Sequence, residues 1–126
     1  MKLRLLDDSI RLRLSRTEVV AASERGFVES QTRFADGSVF TYALEASQEA
    51  SGASAAYERD RMVVRLPARE IVAWANDDDA VSLRGEVRLA DGGELRVLVE
   101  KDFKCRVPQG DEDQSDLFQN PEPTAC

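Results

Sequence analysis

Phe34-Ala-Asp-Gly-Ser-Val-Phe-Thr-Tyr-Ala-Leu-Glu45 returns 55 positions later as Leu89-Ala-Asp-Gly-Gly-Glu-Leu-Arg-Val-Leu-Val-Glu100. Each copy holds an apolar strand end, an Ala-Asp-Gly turn and a second, alternating strand. The likeness extends backwards, where Leu12-Arg-Leu-Ser-Arg-Thr-Glu-Val-Val-Ala21 matches Val64-Arg-Leu-Pro-Ala-Arg-Glu-Ile-Val-Ala73 at an offset of 52. These matches predict two copies of a ββαββ unit, residues 1–45 and 53–100, in one domain that ends at residue 103. The expected fold is α+β. Its two units are related by a pseudo-two-fold, with their strands in a strongly curved antiparallel sheet or closed barrel and two short helices outside. Residues 104–126 read as an acidic tail.

The turn itself selects the register. A two-residue Asp-Gly loop would place Arg33 and Phe40 on a shared face. A three-residue Ala35-Asp36-Gly37 loop instead opposes Thr32 to Phe40, Ser30 to Tyr42 and Val28 to Leu44. Only this second register keeps the large apolar residues on one face, with glycine at the left-handed position of a bulged turn. The second copy agrees, opposing Val87 to Leu95 and Leu83 to Val99.

Upstream, Leu3, Leu5, Ile10, Leu12 and Leu14 alternate with Lys2, Arg4, Arg11 and Arg13, the period of a strand with one buried face. Ser15-Arg-Thr-Glu18 has capping-box spacing, and Gly26 stands where the following short helix should end. In the second unit a hairpin turns at Arg59-Asp60, and a helix begins at Pro67 and buries Trp74.

Composition excludes several classes. The chain is 42% hydrophobic and 33% charged, as ordinary globular domains are. No apolar run approaches the ~18 residues of a membrane helix, and Met1-Lys-Leu-Arg-Leu-Leu-Asp-Asp8 alternates like a strand, without the long apolar segment and cleavage site of a signal peptide. A cytoplasmic protein without membrane attachment is expected. The net charge is −7, of which residues 102–126 contribute −4, so nothing resembles the basic footprint of a nucleic-acid binder. Histidine is absent, which removes the commonest general base and metal ligand. Cys105 and Cys126 read as free thiols, the usual state in that compartment.

The run Glu100-Lys-Asp-Phe-Lys-Cys105, followed by Asp111-Glu-Asp-Gln-Ser-Asp-Leu-Phe-Gln-Asn-Pro121, resembles the closing signature of a family of small uncharacterised bacterial proteins. Ser9-Ile-Arg-Leu-Arg-Leu14 and Thr41-Tyr-Ala-Leu44 are similar to that family too. The resemblance implies a bacterial, intracellular protein and brings no activity with it.

Candidate sites come from charge placement. A turn at Asp7-Asp8 opposes Arg4 to Arg11 and Lys2 to Arg13, placing like charges directly across from one another. Acids on neighbouring strands or the tail can neutralise Lys2, Arg4, Arg11 and Arg13; otherwise the four form an anion-binding site. By contrast, Arg88 opposite Glu94 and Glu86 opposite Arg96 read as exposed ion pairs, worth at most ~1 kcal/mol each. In the tail, Leu117 and Phe118 are poor solvent-facing residues and read as a docking element for this chain or a partner. Asp111, Glu112, Asp113 and Asp116 lack the spacing of a calcium loop, so no metal or cofactor is expected.

The expectation is a non-catalytic binding or protein-interaction domain. One alternative is binding, with possible hydrolysis, of a small phosphorylated anion at the cationic site. This follows a fold analogy with the triphosphate-tunnel phosphohydrolases, whose eight-stranded barrel encloses a charged channel. Their Glu-x-Glu-x-Lys motif is absent, Lys2-Leu-Arg4 standing in its place, so the analogy extends to fold and not to site. A second alternative is a structural partner subunit that docks through its tail.

Overall fold

A computed structural model describes residues 1–104 and 114–119. Strands β1 (Lys2–Leu5) and β2 (Ser9–Leu14) lead into helix α1 (Arg16–Glu24), and β3 (Phe27–Arg33) and β4 (Val39–Ser47) follow. The same order recurs as β5 (Ser54–Glu58), β6 (Arg61–Pro67), α2 (Ala68–Asn76), β7 (Ser82–Arg88) and β8 (Glu94–Lys101).

Local sequence makes the hairpins. Arg59 and Asp60 both hold positive φ, 50° and 60°, as a two-residue hairpin turn requires. In the Ala-Asp-Gly turns, Phe34 N–H donates to the Ser38 carbonyl at 2.9 Å and Leu89 N–H to that of Gly93 at 2.8 Å. Thr32 opposes Phe40 and Val87 opposes Leu95, the three-residue register. Gly37 and Gly92 both sit at φ 92°. Among the described residues, a Cβ added at either glycine would meet no atom within 4 Å, so only the backbone resists substitution. Gly37→Ala and Gly92→Ala should each cost about 1 kcal/mol in urea melts. Unchanged midpoints at both would contradict this turn geometry.

The expected single antiparallel sheet or closed barrel does not form. The strands make two four-stranded mixed sheets, ordered β1-β2-β8-β7 and β3-β4-β6-β5. At the centre of each, β2 runs parallel to β8 and β4 parallel to β6. The cause lies in the crossovers. Each helix carries the chain from one sheet to the other, so a hairpin from each half of the chain completes each sheet. Hairpin signals specify only antiparallel neighbours and are silent about this central pairing. At their edges the sheets meet through side chains. Met1 donates its amino group to Ser30 Oγ at 3.1 Å, while a Cβ on Gly85 would come within 2.4 Å of Ala53 Cβ.

The inner faces of both sheets form the core. Ile10, Leu12, Val97 and Val99 come from the first sheet, and Leu44, Met62, Val64 and Leu66 from the second. This apolar filling replaces the charged channel suggested by the triphosphate-tunnel analogy. Helix α1 is closed by the reciprocal capping box, Glu18 N–H donating to Ser15 Oγ and Ser15 N–H to Glu18 Oε1. Pro67, the expected first helical residue, is instead the N-cap of α2, and the helix starts one position later at Ala68; the extended ψ of 132° at Pro67 still belongs to the strand. From α2, Ile71 and Trp74 enter the core, and Trp74 Nε1 donates to the Val81 carbonyl at 3.1 Å.

Candidate functional site: an arginine face on the first sheet

Side chains alternate between the faces of a strand, so burying Ile10, Leu12 and Leu14, with Leu3 packed against them, sends Lys2, Arg4, Arg11 and Arg13 to the outer face. Register then reads across four strands. Lys2, Arg13, Glu100 and Ser82 lie in one row; Arg4, Arg11, Leu98 and Arg84 lie in the next. Ser9, Arg96 and Glu86 make a third. The like-charge opposition expected for the first hairpin is present; Arg84 joins the same row beyond Leu98, and Arg96 stands in the next row between Ser9 and Glu86.

Neighbouring acids answer part of this charge. The Glu100 carboxylate pairs with Arg11 and accepts from Arg13 Nε at 2.9 Å. Lys2 Nζ lies 2.8 Å from the buried carboxylate of Asp102. Among the described residues, Arg4, Arg84 and Arg96 have no ion pair or side-chain hydrogen bond. Glu86 opposes Arg96 and Arg88 opposes Glu94 in the ladder, as expected, but no ion pair forms in either case among the described residues. These long exposed side chains keep their hydration, which offsets the attraction. A hollow of about 290 Å³ opens beside them, with Arg4, Arg11, Arg84, Arg96, Glu86 and Leu98 in its lining.

The second sheet offers an internal control. Its outer rows are Ser54, Arg65, Glu45 and Phe27, then Ala56, Val63, Ala43 and Glu29, then Arg61, Thr41 and Gln31. Arg65 Nε donates to Glu45 Oε2 at 2.7 Å, the counterpart of Arg13 with Glu100. Arg61 Nη1 donates to Glu29 Oε2 at 2.7 Å. Carboxylates therefore answer the central-strand arginines there. The middle row, with three arginines in the first sheet, has none in the second. Sheet architecture does not require these charges.

The described part of the tail lies elsewhere. Phe118 N–H donates to the Asp102 carbonyl at 2.8 Å, and Arg16 N–H donates to the Asp116 carbonyl at 2.9 Å. Thr17 Oγ1 donates to Asp116 Oδ1 at 3.1 Å, and this hydroxyl is the main reason the carboxyl is held below its usual pKa. Leu117 is 7% exposed. The Phe118 ring packs 5.7 Å from that of Phe103, with Arg16 and Lys101 over it. These contacts place Leu117 and Phe118 against this chain, beside the start of α1. Lys101 is buried under the Trp74 and Phe118 rings, donates to the Asp77 carbonyl at 2.8 Å, and has its pKa lowered by that burial. Cys105, Cys126, Asp111, Glu112 and Asp113 lie outside the described residues.

Two residues of the face were not legible as site residues. Arg96 reads in sequence as half of an ion pair, and Arg84 carries no motif. The one available signal was that the inferred hairpin sets Arg84 opposite Leu98 and not opposite an acid.

Among the described residues, no group of three His, Cys, Asp or Glu side chains is placed to hold a metal, and no helix is long and apolar enough to cross a membrane. The model of a family of unknown function matches residues 1–122. No curated protein matches the chain, and no solved structure does.

Proposed function

The chain belongs to DUF7009, a family of unknown function, and from its own residues we propose that it is a non-catalytic binding domain for small phosphorylated anions. The binding surface in this reading is the outer face of the first sheet, with Arg4, Arg11, Arg84 and Arg96 as donors. One observation carries it: the row that holds three arginines and no acid, set against an equivalent row with no cation at all. Neighbouring strands are about 5 Å apart. At that distance two unit charges repel by about 0.8 kcal/mol even at the dielectric of water. A face that retains such repulsion without a structural need for it is matched by an anion that removes it. Arginine suits the role because its fork of donors engages two phosphate oxygens at once.

A duplicated origin accounts for the contrast between the faces. In this proposal residues 1–45 and 53–100 descend from one ββαββ unit, each keeping the arginine–glutamate pair that braces its sheet. The middle row then diverged, towards cations on one face and small or acidic residues on the other. The reading is binding without turnover. Arginine is a donor that stays protonated, and the Ser9 hydroxyl is already committed to the Leu6 carbonyl at 2.6 Å.

Inorganic phosphate and polyphosphate provide the test. At low ionic strength, phosphate should raise the melting temperature of the full chain. The gain should vanish in Arg4→Ala combined with Arg84→Ala, and shrink in high salt. No stabilisation by either anion, or an equal gain in the double variant, would overturn the reading.

A further inference from the structure

The hollow is more than a patch of charge. Leu98 lines it between Arg11 and Arg84, and Leu6 lines it too. Leu6 is 53% exposed just beyond the end of β1, a costly place for a leucine on a surface meant only for a hydrated ion. Glu86 stands among the same lining residues and adds a negative charge to the rim.

Resting on the anion-binding reading above, we propose that the ligand is a phosphate monoester carried on a compact apolar body. The geometry divides the work between the two parts. Arg11 and Arg84 flank Leu98 from adjacent strands, so their Cα atoms are about 10 Å apart. That span lets the Arg84 fork, and the part of Arg11 that Glu100 does not engage, reach one phosphoryl group held above the leucine. Arg96 lies two residues before Leu98 on β8 and therefore points to the same face. Arg4 stands beside Arg11 on the outer strand and extends the donor set. The ester's organic part then lies over Leu98 towards Leu6, removing apolar surface of both partners from water. Glu86 disfavours a long polyanion, which would bring a second phosphate close to its carboxylate. A single charged head with an apolar tail uses the arginines together with Leu98 and Leu6. Inorganic phosphate would use only the arginines, and polyphosphate would meet Glu86.

Leu98 is the specificity-determining residue in this arrangement. It is half-buried on the outer face, outside the core cluster, so it can be made polar without opening the interior. Titration calorimetry on the full chain at fixed ionic strength, with phenyl phosphate and inorganic phosphate as probes, separates the two levels of the proposal. Phenyl phosphate should bind at least ten-fold more tightly than inorganic phosphate. Leu98→Ser should erase that preference, bringing the two probes to within about two-fold of each other. Arg84→Ala, or Arg96→Gln as a milder change, should weaken both probes together.

Equal affinity for the two probes, with both still lost in the arginine variants, would overturn the apolar body and leave the anion site standing. Heat from neither probe would overturn both. Tighter binding of polyphosphate than of phenyl phosphate would show that charge alone selects the ligand, and would also sink the inference.

Discussion

Trp74→Ala should remove about 3–5 kcal/mol, the range for truncating a large buried aromatic. Domains of this size are held together by only about 5–15 kcal/mol in total, so the variant should unfold near room temperature or lose its cooperative transition. Trp74 is 2% exposed and belongs to the core formed by both sheets and both helices. Its loss would open a cavity beneath α2 and leave the Val81 carbonyl with one donor, Lys101 N–H, in place of two. Lys101 would also lose one of the two rings that cover its ammonium. Trp74→Phe separates these effects, since it retains most of the volume and loses the indole N–H. Its expected cost is about 0.5–1.5 kcal/mol, that of one hydrogen bond, because the Val81 carbonyl still accepts from Lys101 N–H at 3.0 Å. Urea unfolding followed by far-ultraviolet circular dichroism gives both values. An alanine variant that loses less than about 1 kcal/mol would show that α2 is held by contacts other than this ring.

Gly85→Ala is the second large effect, and it comes from a single missing carbon. The added Cβ would lie 2.4 Å from Ala53 Cβ, closer than two carbons can approach. Gly85 is not among the residues with positive φ, so alanine meets no backbone penalty and the clash stands alone. Strand β7 or the segment before β5 must shift, at a cost of roughly 1–3 kcal/mol for overpacking. Ala53→Gly removes the opposing carbon, so the double variant should recover most of the loss. That recovery, a coupling between residues far apart in sequence, is the decisive measurement. Unchanged stability in Gly85→Ala would mean that β5 and β7 do not meet at this point. Because Arg84 and Glu86 flank the glycine, the single variant should also weaken phosphate binding, and the double variant should restore it.

Particular residues show how far sequence reaches here. The Ala-Asp-Gly turns, the opposition of Thr32 to Phe40 and of Arg4 to Arg11, the capping box at Ser15 and the burial of Trp74 were all legible. Each depends on neighbours within about ten positions, where side-chain period and turn chemistry leave one low-energy choice. The strand–strand–helix–strand–strand order followed from the same local rules. Half of the arginine face was legible as well, because Lys2, Arg4, Arg11 and Arg13 belong to one hairpin.

What the tertiary structure decided was which hairpins share a sheet. Parallel pairing of β2 with β8 joins residues almost ninety positions apart, such as Arg11 with Leu98. Nothing in either strand alone selects that partner, because both present the same alternating apolar face to a common core. The choice is made by burying two inner faces against each other once the helices have crossed between them. That choice brings Arg84 and Arg96 beside Arg4 and Arg11, and gives Glu100 to Arg11 and Arg13 as their counter-ion. It also turns the charged residues outward, since an interior filled by Leu12, Leu44, Val64 and Val99 has no room or dielectric for unpaired cations.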